Sequence, residues 1–93
     1  MIPKKLRIMG HDCEVIIQDE DKTANSNMGT WWAAKSKIFI NSNQSQSMKE
    51  SALIHEIIEA ISWFQRLNLK HDTIVRLETG LYQVLKDNGL LNV

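Results

Sequence analysis

Cysteine, proline and glycine are scarce in this chain, with one, one and four residues respectively among 93. A lone cysteine, Cys13, allows no internal disulfide, so a reducing, cytoplasmic setting is expected. There is no excess of either charge, because 11 basic residues balance 11 acidic ones and the sequence pI is near 6.8. That balance argues against a protein held to nucleic acid by phosphate contacts. No apolar run approaches the length needed to span a membrane, and Met1-Ile2-Pro3-Lys4-Lys5 is not followed by the apolar core of a signal peptide. No internal repeat is visible. What is present is a 43% hydrophobic composition, enough for the modest core of one domain covering residues 1–93.

The apolar pattern changes period near residue 46. Before it, apolar and polar residues alternate. Leu6 and Ile8 among Lys5 and Arg7 read as a strand, and Cys13–Ile17 as its hairpin partner across Gly10-His11. Trp31-Trp32-Ala33 and Ile38-Phe39-Ile40 read as two more short strands joined through residues 34–37, after a polar loop over residues 19–30. Neighbouring strand residues face opposite ways, so one of the two tryptophans belongs to the core. After residue 46 the period is helical. Ser47 and Glu50 match the capping-box spacing, and Leu53, Ile54, Ile57, Ile58, Ile61 and Phe64 form a broad apolar face, predicting a helix over about 48–67. A second helix is predicted over about 72–87, with Ile74, Leu77, Leu81, Val84 and Leu85 as its stripe and Asn88-Gly89 as its stop. Strands followed by helices predict an α+β domain: about four short, mostly antiparallel strands with two packed helices against them.

The chemistry concentrates in residues 55–78. His55-Glu56-Ile57-Ile58-Glu59 is H-E-x-x-E, the metalloprotease motif H-E-x-x-H with its second histidine replaced by glutamate. His55 and Glu59, four apart, project from one helix face and can share an ion. Zinc accepts imidazole and carboxylate alike; the extra carboxylate hardens the site and widens metal choice towards manganese or iron. Glu56 holds the position of the general base. A third ligand is required, and the second helix offers two candidates, His71 and Glu78. Glu78 falls among the apolar residues of its helix, where an unpaired carboxylate is costly. One of the pair is expected to bind the metal and the other to support it. The plainer explanation treats each residue as ordinary: a solvated His55–Glu59 pair, a surface Glu56, and a Glu78 paired with lysine or arginine.

Residues 52–89 resemble the small zincin-like metallopeptidase-type proteins common in phage and prophage genomes, on the stretches HEIIEAI at 55–61, LKHDTI at 69–74 and LYQVLKDNG at 81–89. The strand half, with KLRIMGHDCEVI and Gly29, is similar more loosely. The resemblance implies a minimal zincin core and a divalent metal, zinc above all. His55 would be the first ligand, Glu59 the second in place of histidine, Glu56 the base, and His71 or Glu78 the completing group. It also implies hydrolysis of a peptide or other amide in the cytoplasm of a host cell. The alternative is a catalytically silent zincin-like module that binds a protein partner. An exposed edge strand, with Ile38–Ile40 as the candidate, would receive a peptide by strand addition.

Overall fold

The computed structural model describes residues 2–19 and 28–91. It is α+β: a four-stranded sheet in the amino-terminal half, then two packed helices. Strand β1 (Lys5–Ile8) and strand β2 (His11–Gln18) form a hairpin whose two-residue turn, Met9-Gly10, has positive φ at both positions. That is the primed turn that suits the strands' twist, and glycine takes its second position without strain. Strand β3 (Gly29–Trp32) and strand β4 (Lys37–Asn41) pair antiparallel, joined through a 3-10 turn at Ala33–Lys35.

The sheet order is β1-β2-β4-β3, and β2 runs parallel to β4 from Glu14↔Lys37 to Gln18↔Asn41. The sheet is therefore mixed, with two antiparallel pairings and one parallel. This order also corrects the expected edge strand. Ile38–Ile40 lies inside the sheet, bonded on both sides, and the edges are β1 and β3. The burial explains why: Ile38 and Ile40 are both 0% exposed, so their strand belongs at the centre. The loop expected over residues 19–30 lies largely outside the described residues.

Helix α1 (Gln46–Gln65) begins two residues earlier than its sequence pattern suggested. Ser45, not Ser47, is the cap, its hydroxyl accepting the Met48 N–H at 3.3 Å. The capping-box reading of Glu50 fails because that carboxylate is drawn inward. It is buried, accepting from Tyr82 Oη at 2.8 Å and Lys86 Nζ at 3.0 Å on the second helix. Burial alone would raise its pKa, but the hydrogen bonds from Lys86, Tyr82 and Gln46 outweigh burial and hold it below the ordinary value.

α1 is covered on two sides. Ala52, Leu53 and Ala60 pack with Cys13, Val15, Ile38 and Ile40 of the sheet. Ile54 and Ile58 pack with Ile74 of helix α2 (His71–Asp87). Arg66 closes α1 in the left-handed region, φ 55°.

α2 differs from its predicted stripe. Ile74 is fully buried and Leu85 partly so, but Leu77, Leu81 and Val84 stand 45–49% exposed. The helix is turned so that Glu78, Tyr82 and Lys86, spaced four apart, reach the carboxylate and imidazole groups of α1. Polar ties, rather than the leucine stripe, select its inward face. Among the described residues no helix is long and apolar enough to cross a membrane.

Candidate metal centre

α1 carries His55, Glu56 and Glu59 on consecutive turns, at the level where α2 begins. His55 Nε2 lies 3.8 Å from Glu59 Oε2. His71, the first residue of α2, brings its ring to 5.3 Å from the His55 ring, centroid to centroid. One donor atom each from His55, Glu59 and His71 lie within 4.8 Å of one another, a group able to hold a metal ion. Tetrahedral zinc with bonds near 2.0–2.1 Å sets its donors roughly 3.4 Å apart. The His55–Glu59 pair is already close to that spacing, and His71, exposed at a helix start, is the residue free to close the rest.

The structure also distinguishes the two candidates on α2. His71 joins the donor group. Glu78 stands behind the His55 ring, its Oε1 2.8 Å from Nδ1. Ser51 Oγ donates to the other oxygen of the same carboxylate. An ionised carboxylate can only accept, so Nδ1 is the donor in this pair, and Nε2 is the ring nitrogen turned towards Glu59. This carboxylate–imidazole pairing is how metal-binding histidines are held in one tautomer. Glu78 thus satisfies its charge with His55 and Ser51, not with the lysine or arginine of the plainer explanation. Ser51 was not picked out from the sequence. The available signal was its place one turn before His55, on the same helix face.

Glu56 is not a surface residue. It is 5% exposed, and its carboxylate accepts a hydrogen bond from the Trp31 backbone N–H. Burial, then the charges of Glu59 and Glu78, push its pKa up to about 8 against the pull of that N–H. A carboxylate held close to neutrality is suited to taking and returning a proton near pH 7. Above Glu56 lies Gly29 on the edge strand. A Cβ there would come within 2.9 Å of the Phe39 carbonyl oxygen and 3.2 Å of Glu56 Cγ. Only glycine lets β3 pass this close to the carboxylate.

These groups open into a cleft of about 540 Å³ lined by Gly29, Thr30, Met48, Val75 and the acidic and imidazole side chains. The edge strand Gly29–Trp32, not Ile38–Ile40, therefore borders the cleft. Comparison with protein-family models, with curated proteins and with solved structures finds no match.

Proposed function

We propose that this chain is a metal-dependent hydrolase of peptide or other amide bonds, of the zincin type, with zinc as its metal. The observation that carries the reading is the convergence of His55, Glu59 and His71 from two helices, beside a buried carboxylate and behind an oriented imidazole. Zinc bound there would supply a Lewis acid that acidifies water and polarises an amide carbonyl.

The chain's own groups divide the remaining work. His55 presents Nε2 because Glu78 holds the proton on Nδ1. Glu59 supplies negative charge that favours a cation over an empty cluster. Glu56, in its ionised form, takes a proton from the attacking water onto a carboxylate oxygen and returns it to the departing amine. The Trp31 N–H keeps that carboxylate in place, and burial keeps bulk water from competing for its proton. Strand β3 supports a peptide substrate at the cleft wall.

One observation favours a second reading, a silent module that binds a protein: the exposed Leu77, Leu81 and Val84 on α2. Two measurements separate the readings. Metal analysis by mass spectrometry on untagged protein is expected to show near-stoichiometric metal that falls in His55→Ala, Glu59→Ala and His71→Ala. Wild-type protein free of metal after incubation with zinc would defeat the hydrolase. Cleavage of a peptide mixture is expected from wild type and not from Glu56→Gln, which keeps its metal. Full metal loading without any cleavage would leave the binding module as the reading.

A further inference from the structure

A second cleft, of about 620 Å³, lies on the other side of Glu59. Its wall is aromatic: Trp63 is 54% exposed, its ring 5.2 Å from that of Phe64 and 6.4 Å from that of Trp31. Its far end carries Arg66. Glu59, a member of the donor group, lines both clefts.

Two features of this cleft bear on what it takes. Arg66 occupies a left-handed position, φ 55°, where glycine or asparagine is the comfortable residue. A residue with a Cβ in that conformation costs roughly 1 kcal/mol or more. Yet its guanidinium makes no ion pair or hydrogen bond to any side chain among the described residues. Trp31 Nε1 is buried without a partner, a cost of about 1–3 kcal/mol, while its indole ring completes the aromatic wall. An unpaired cation beside an exposed aromatic face is complementary to one chemistry: an apolar or aromatic group that carries a carboxylate.

The spacing relates this to the metal centre. Glu59 and Arg66 are seven residues apart, roughly 10 Å along a helix axis. Two or three extended residues cover that length. We propose that this cleft binds the carboxyl-terminal residue of a peptide, with an aromatic side chain against Trp63 and Phe64 and the terminal carboxylate held by Arg66. Resting on the hydrolase reading, this places the reacting amide within about three residues of the peptide's end and makes the substrate class a peptide with an aromatic carboxyl terminus.

The test uses the intact protein with a chelator present, so that carboxylate binding to metal does not contribute. The probes are N-acetylphenylalanine, its amide, and N-acetylaspartyl-phenylalaninamide, followed by tryptophan fluorescence and by amide and side-chain resonances of Trp63 and Arg66. The free acid is expected to bind about tenfold or more tightly than the amide, the size of one charge-assisted hydrogen bond. Arg66→Asn, which suits a positive φ and keeps the helix end, should abolish that preference, and Trp63→Ala should weaken both ligands. Equal binding of acid and amide, a preference that survives Arg66→Asn, or no binding at tens of millimolar would overturn the proposal. If the aspartyl peptide matches the free acid, the carboxylate is a side chain's and the carboxyl-terminal assignment is overturned. Because metal is absent throughout, failure here leaves the metal centre untouched, and a metal-free wild type leaves this result untouched.

Discussion

The two helices share one donor group but are held in place very differently. α1 is buried against the sheet on one side and against α2 on the other, and even its Glu50, Glu56 and Ser62 are shielded from solvent. α2 has one fully buried residue, Ile74, with Tyr82 and Leu85 packed partly buried beside it, and hydrogen bonds link its Glu78, Tyr82 and Lys86 to α1. So the helix that carries His55, Glu56 and Glu59 is the rigid one. The helix that contributes His71 and orients His55 is attached by contacts that can be removed one at a time. A site built this way has a fixed half and an adjustable half, and the adjustable half is where metal loading should be felt.

The contrast can be broken most severely at Glu56. Glu56→Gln is expected to lower hydrolysis by about 10²–10⁴-fold with metal content unchanged, read from peptide cleavage beside metal analysis. The same variant tests the fixed half without metal. The folded pKa of about 8 exceeds the ordinary 4.5 of a carboxyl group, so Glu56 favours the folded state fully below 4.5 and loses that contribution as pH rises towards 8. Chelated wild type should therefore lose stability across that window in denaturant titrations, and Glu56→Gln should flatten the loss.

Ile74→Ala removes the buried anchor of α2. It should cost about 2–5 kcal/mol, and hydrogen exchange should show α2 losing protection before α1. Equal loss along both helices would mean that they fold as one unit and that the contrast is false. Glu78→Gln, at the polar tie, should leave the fold intact and weaken metal affinity about 10–100-fold, measured by competition with a coloured chelator.

The second polar tie has its own pH signature. Glu50 is held below its ordinary pKa, so its contribution is present above about 4.5 and is lost as pH falls through the lowered folded value. Lys86→Met should move the acid-unfolding midpoint of the wild-type protein to higher pH. The smallest effect is expected on the exposed stripe, where Leu81→Gln should change stability by no more than about 0.5 kcal/mol. A larger loss would show that the stripe is covered in solution.

Where the sequence reading departed from the structure, the reason was long range each time. The Ser47–Glu50 cap has the right local spacing, but Glu50 is claimed by Tyr82 and Lys86, more than 30 positions away. The α2 stripe has the right period, but the helix turned towards its polar partners. Ile38–Ile40 reads as a strand in either an edge or a central place, and only its pairing on both sides settles which.

By itself, the sequence determined the elements and the candidates: strands before helices, the two helices to within a few residues, and His55, Glu56, Glu59, His71 and Glu78 as the residues of interest. Period, turn residues and ligand spacing along one helix are local properties, and local properties are written in the order of the residues. Tertiary structure alone decided that His71 enters the donor group while Glu78 orients His55, that Ser51 supports Glu78, and that Glu56 is buried beneath Gly29 and the Trp31 N–H. Those outcomes depend on the rotation of α2 about its axis and on which strand forms the sheet's edge. Both are set by contacts between residues far apart in the chain, where no spacing rule reaches.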